Sequence, residues 1–227
     1  MNVQIKYISY VLLVFSLLFH SCGKDNYDEP NATISGQITV DGKPIGLRGT
    51  GEVVQLQLFQ DGYELNAHIP VYVGQDGSFK AKVFDGKYRL RTRSNNGPWL
   101  NSTEELAVDL KGNAEVNFEV TPYFMLENVN IALNAAKEIT SSFTISKEAE
   151  GASLNYYMLL ISKTSFVDDG TNIFRKDYSS PDAGAISLAE DVSTLKELAG
   201  TGPLFARIGV RADGADQAIF SEVIKIK

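Results

Sequence analysis

The chain is poor in the residues that most often carry chemistry. Of 227 residues, one is cysteine (Cys22), two are histidine and one is tryptophan (Trp99). A lone cysteine excludes an intrachain disulfide, and two histidines exclude a histidine-rich zinc centre. Positive charge is in deficit as well. The formal net charge is −7, which disfavours nucleic acid and anionic lipid as general partners. The one notable apolar run, Tyr7 to Phe19, is too short to span a bilayer stably as a helix.

What stands around that run is informative. Lys6 precedes it, and Phe19-His20-Ser21-Cys22 follows, with a small residue directly before the cysteine. This is the pattern of a bacterial lipoprotein signal. The expectation is a signal peptide over residues 1–21, cleavage before Cys22, and lipid on that cysteine as a membrane anchor. Each buried acyl methylene contributes about 0.8 kcal/mol, so several chains hold where one would be marginal. A lipidated Cys22 leaves no thiol, and cleavage removes His20, leaving His68 as the single histidine. Residues 22–32, polar and acidic at Asp25, Asp28 and Glu29, form the expected tether. Such acidic tethers resemble those that route Bacteroidetes-type lipoproteins to the outer face of the outer membrane.

From Ile34 onward the pattern changes. Val54–Leu58, Phe79–Val83, Tyr88–Thr92 and Val116–Val120 alternate apolar with polar residues, the signature of strands with one buried face. Asp-Gly pairs recur at 41, 61, 76, 85, 169 and 213 and suit tight turns. Residues 33–121 therefore read as one antiparallel β-sandwich. Beyond Thr121-Pro122, residues 122–227 read as a second, with strands near 129–133, 139–145, 156–161, 205–211 and 218–226. A long insertion, Ser162 to Pro203, separates the third and fourth of these. Ser187-Leu188-Ala189-Glu190 in it fits a capping box, and Val192, Leu195 and Leu198 follow at near-helical spacing, predicting one short helix ended at Gly200. The fold class is all-β: two sandwiches in tandem.

The segments Ile34 to Ile45, Asp76-Gly77-Ser78-Phe79 and Asp85-Gly86-Lys87-Tyr88 resemble the first strand and the two later turns of the transthyretin or carboxypeptidase-regulatory sandwich. Asp85 stands where proline is usual there. Leu204 to Arg211, followed by Ser221 to Lys225, is similar to the last two strands of an immunoglobulin or fibronectin type III sandwich. With the lipobox, this order resembles Bacteroidetes lipoproteins of the domain-of-unknown-function family 3823. The resemblance implies a role beside glycan-uptake receptors at the cell surface. It transfers no catalytic residue.

Candidate chemistry is sparse. A Ser-His-Asp triad would have to use His68, and no Gly-x-Ser-x-Gly elbow accompanies it. The carboxylate doublets Asp168-Asp169 and Glu104-Glu105 are adjacent in sequence, and neighbours on a strand point to opposite faces. Asp168-Asp169-Gly170 reads more simply as a turn. No catalytic residue, metal site or cofactor is expected. Lys80 and Lys82 alternate along one predicted strand, and Lys87, Arg89, Arg91 and Arg93 along the next. If Asp85-Gly86 pairs these strands as a hairpin, six cations share a face. That face could meet an anionic glycan or an acidic partner. The plainer reading, and the favoured one, is a solvated face neutralised by neighbouring strands, for which Glu115 and Glu119 are available. Trp99, in a loop, and Phe166, Phe174 and Tyr178, in the insertion, could stack on sugar rings or pack into the protein. The reading as a whole is a non-catalytic, lipid-anchored envelope protein. Its expected partners are the membrane, a glycan and an outer-membrane receptor or transporter. The alternatives are a structural assembly protein and, more distantly, a hydrolase.

Overall fold

A computed structural model describes residues 28–65, 67–179 and 182–227. The expected signal peptide, Cys22 and most of the expected tether lie outside the described residues. Residues 31–227 form one compact unit. Among the described residues no helix is long and apolar enough to cross a membrane.

The first domain has two sheets. One contains β1 (Ala32–Val40), β2 (Lys43–Pro44) and β5 (Ser78–Val83) in the order β2-β1-β5, joined by β8 (Asn113–Glu115) and β9 (Phe118–Glu119). The last two pair with β1 in parallel, so this sheet is mixed rather than purely antiparallel. The other sheet runs β4 (His68–Tyr72), β3 (Gln55–Gln60), β6 (Gly86–Thr92), β7 (Leu106–Leu110). Alternation decides what faces inward: Phe79, Ala81 and Val83 of β5 and Leu56 and Leu58 of β3 are buried. The turn from β1 to β2 is built on Asp41 and Gly42, both at positive φ (49° and 72°), as two-residue hairpins require.

The second domain also has two sheets. β10 (Phe124–Leu133), β11 (Glu138–Lys147) and β14 (Gly184–Asp191) form one, in the order β10-β11-β14. The other is β13 (Phe174–Tyr178), β12 (Leu154–Ser162), β15 (Phe205–Ala212) and β16 (Ile219–Phe220), with β17 (Ile224–Lys225) also paired to β15. β12 is buried continuously from Tyr157 to Ser162 because this sheet is covered on both faces. Its second face carries a small cluster of Met158, Leu160, Val167, Ala218 and Phe220. The main core runs without a break from Ala32 to Ile219, across both domains.

The insertion departs from expectation. Its capping-box residues lie in β14, where Ser187 pairs with Ser142 and Glu190 with Ile139. Residues 185–191 alternate, and β11 offers an open edge, so strand pairing wins over the local cap. The expected helix shrinks to one 3₁₀ turn, Lys196–Ala199. The three-residue spacing of 192, 195 and 198 suits that tighter turn better than an α-helix. Gly200 is extended rather than left-handed (φ −78°, ψ 174°).

Candidate functional site

The expected six-cation face does not form. β5 pairs with β1, whereas β6 pairs with β3 and β7. Asp85-Gly86 therefore carries the chain from one sheet to the other instead of closing a hairpin. The Asp85 carboxylate accepts the Gly112 N–H at 2.7 Å. Lys80 and Lys82 are exposed on the outer side of the first sheet. Arg89, Arg91 and Arg93 lie along the second sheet among partners. Arg89 binds Asp61 and Glu105, each at 2.9 Å, and these hold its guanidinium above the usual arginine range. Arg91 donates to the Gln57 side chain at 3.0 Å and lies 4.5 Å from the Phe59 ring centroid. Arg93 donates to the Gln55 side chain at 3.0 Å. Lys87 stands opposite Asp109. Asp61 and Glu105, rather than Glu115 and Glu119, neutralise this face. Glu119 instead accepts from the Thr39 hydroxyl at 2.6 Å.

The aromatics divide. Trp99 is only 3% exposed, bridged to Pro122 at the junction of the domains, so no face of its ring is open to a sugar. Phe174 packs against the main core. Tyr178 stacks on Tyr157 (centroids 5.1 Å, interplanar 13°) and donates its hydroxyl to Glu190 at 2.8 Å. Burial first, then that carboxylate, raises the Tyr178 phenol well above the usual range. Phe166 alone of the four stands out, 58% exposed. His68 is exposed on β4, its ring 5.9 Å from Phe59. Glu105 is taken up by the arginines, and Asp168 by the seam described next.

The most elaborate polar structure is the seam between the domains. Arg207, on β15, is 1% exposed. Its Nε donates to Ser221 O (2.6 Å), Nη1 to Leu47 O (3.0 Å) and Val167 O (3.1 Å), and Nη2 to Gln75 O (2.8 Å). Two of these carbonyls belong to the first domain and two to the second. The Phe220 ring lies 4.9 Å from the guanidinium. Burial pushes the Arg207 pKa down to about 10, partly offset by Asp168 and Asp76, so it stays charged at neutral pH. Asp168, fully buried, mirrors this arrangement. Its carboxylate accepts from Gly49 N (3.2 Å), Thr50 N (3.0 Å) and Thr50 Oγ1 (2.8 Å) across the seam. Within its own turn it accepts from Gly170 N (2.9 Å) and Thr171 N (2.8 Å). Arg48 lies 3.4 Å from Asp169 beside it. The backbones meet at Gly46, where a Cβ would stand 2.2 Å from Phe220 O and 2.6 Å from Arg207 Nη2.

Three adjoining hollows follow this seam. The first, ≈ 360 Å³, is lined by Gln37, Gln75, Asp76, Arg207 and Glu222, with Pro44, Ile45 and Val223 as apolar wall. The second, ≈ 510 Å³, shares Pro44, Ile45, Gly46, Ser221 and Glu222 with it and continues along Met125, Leu126 and Val129. The third, ≈ 530 Å³, shares Lys43, Met125, Leu126 and Asn128 with the second and ends at Asp41, Glu127 and Glu148. Together they make one elongated groove. Gln75 lines the first hollow; its Nε2 donates to Ser165 O at 2.8 Å, and its Oε1 is buried without a hydrogen-bond partner. Arg207, whose side chain also lines this hollow, spends four of its five N–H donors on carbonyls. Hydrogen bonds from Ser78 hold the Asp76 carboxyl below its usual range. Among the described residues no group of three or more His, Cys, Asp or Glu side chains is placed to hold a metal ion. The groove thus offers planar donors and acceptors beside an apolar wall.

Residues 32–121 match the family model described as the N-terminal domain of a protein of unknown function (DUF3823). Residues 124–225 match its companion domain of unknown function, DUF3823_C. A DUF3823 family protein from Parabacteroides merdae ATCC 43184 is 48% identical, with TM-score 0.84, covering 88% of this chain and 100% of its own. Another from Bacteroides ovatus ATCC 8483 is 31% identical, with TM-score 0.74, covering 86% of this chain and 98% of its own. A protein from Bacteroides uniformis ATCC 8492, named "a putative carbohydrate binding protein", shares the fold at 20% identity and TM-score 0.72, covering 87% of this chain and 99% of its own. A comparison with curated proteins found no match. With both halves matched in order and two solved relatives above 30% identity, the chain belongs to the DUF3823 family.

Proposed function

We propose that the protein is a non-catalytic lipoprotein of the outer membrane, held by lipid on Cys22, whose seam groove binds a carbohydrate segment at the cell surface. The carrying observation is the groove's elongated shape together with its polar lining beside an apolar wall. Gln37, Gln75, Asp76, Arg207 and Glu222 line it with donors and acceptors suited to neighbouring sugar hydroxyls. Pro44, Ile45 and Met125 supply apolar wall for C–H faces. The fold shared with the Bacteroides uniformis protein supports the same reading. The test is a polysaccharide panel with the chain beginning after Asp28, which retains the compact unit. Binding is expected to fall at least tenfold in Gln75→Ala/Glu222→Ala, a loss of about 1.4 kcal/mol, and to survive Arg89→Ala/Arg91→Ala. Binding that ignores the groove variants, or no binding at all, overturns it.

A second reading, an assembly protein of an envelope transporter complex, draws on Phe166. This ring stands exposed between Ser165 and Val167, whose carbonyls bind Gln75 and Arg207 at the seam. Pull-down of a membrane receptor by the full lipoprotein, lost in Phe166→Ser, would favour it.

A further inference from the structure

Seven large hydrophobic side chains stand exposed among the described residues, and four belong to one end of the first domain: Tyr63 (66%), Leu65 (85%), Ile69 (38%) and Phe84 (46%). Single exposed apolar residues are ordinary, whereas a group at one tip is not. Strand pairing places them together. The connection carrying Tyr63 and Leu65 leaves β3 where Gln60 lies opposite Tyr88 and returns into β4, in which Ile69 faces Leu58. Phe84 bridges the end of β5 and the start of β6. Its carbonyl accepts the Tyr88 hydroxyl at 2.8 Å, and burial first, then Tyr63, raises that phenol above its usual range.

The chain enters the fold at this same end. Ala32, the first residue of β1, pairs with Val83, next to Phe84. The Thr33 N–H binds Gly112 O at 2.7 Å, in the turn held by Asp85. Nine residue steps separate Cys22 from Asn31, a reach of at most about 32 Å. The seam groove is at the opposite end, where β1 leads into β2 and β5 begins.

We propose that this end docks on the bilayer that holds the anchor, with Tyr63, Leu65 and Phe84 entering the headgroup region as a second membrane contact. The proposal rests on the lipid-anchor reading of Cys22. A short tether raises the effective concentration of bilayer at the tip, so a patch too small to bind membrane alone suffices once anchored. Tyrosine suits the place, with an apolar ring and a polar end. The surrounding charges are mixed, with Lys82, Lys87 and Lys111 against Glu64, Asp85 and Asp109. The expected surface is therefore zwitterionic lipid, not an anionic one. The consequence is orientation: the first domain stands with its tip down and its groove away from the membrane, facing solvent.

The experiment uses the full lipoprotein reconstituted on phosphatidylcholine vesicles. Trp99 is buried and serves as a constant background. The added indole of Leu65→Trp is expected to emit at shorter wavelength on vesicles than in detergent-free solution. Lipids brominated high in the acyl chain should quench it several-fold. Leu100→Trp, exposed near the seam, should respond to neither. Equal quenching of both variants means the molecule lies flat and overturns the docking. Fatty-acid labelling with an unshifted Leu65→Trp also overturns it while leaving the anchor intact. Fatty-acid labelling that Cys22→Ala does not abolish removes the anchor reading itself, and the proposal with it.

Discussion

At the scale of single residues, Arg207 organises the molecule. A buried guanidinium is costly unless its donors are used, and here four carbonyls from two domains receive them. Replacing it with methionine of similar length fills the space but leaves those carbonyls without their donor. Arg207→Met is expected to lower unfolding free energy by on the order of 3 kcal/mol, measured by urea denaturation. Arg207→Lys should recover only part, because one ammonium cannot span carbonyls set in a planar fork. Nothing local in the sequence marks Arg207. It alternates with Ala206 and Ile208 on β15 and so reads as a solvent-facing position. The other domain, far away in sequence, covers that side. The same cause hid Asp168, whose Asp-Asp-Gly context reads as an ordinary turn.

At the scale of elements, period-two patterns in the chain located β1, β3, β5, β6, β11, β12 and β15 within a few residues, because a strand with one buried face must alternate. Where two periodicities overlap, pattern alone misleads. Ser187 to Glu190 satisfies a helix cap and a strand alternation at once, and the free edge of β11 decides for the strand. This has a direct consequence. A capping serine replaced by alanine costs about 1 kcal/mol, whereas an exposed strand serine costs within about 0.5 kcal/mol. Ser187→Ala should therefore leave the melting temperature nearly unchanged, and far-UV circular dichroism should show strand with negligible helix. β4 was not legible, as His68 to Tyr72 carries a proline and irregular polarity that only its edge position permits.

At the scale of the whole molecule, the two domains behave as one body. The core is continuous across the seam, and Arg207 and Asp168 each bind both sides. The chain from Asn31 onward should melt in a single calorimetric transition with equal calorimetric and van't Hoff enthalpies. Asp168→Ala removes three hydrogen bonds across the seam and should split or broaden that transition. Two resolved transitions in the unaltered chain would contradict the rigid seam. A rigid seam matters to the groove, because a site built from both domains stays preorganised only if the domains do not move apart.

The sequence by itself determined the class of the fold, the order of the two domains and the poverty of nucleophiles and metal ligands. These depend on composition and short-range periodicity, which survive without knowledge of distant neighbours. The tertiary structure alone decided which charges are neutralised, which aromatics are buried and where a groove lies. It separated Lys80 and Lys82 from the arginines of β6, buried Trp99 against Pro122, and set Gln75 beside Arg207 across 132 residues of chain. Such contacts are long-range: they join residues whose local patterns carry no sign of each other, and only the packing of sheets brings them within reach.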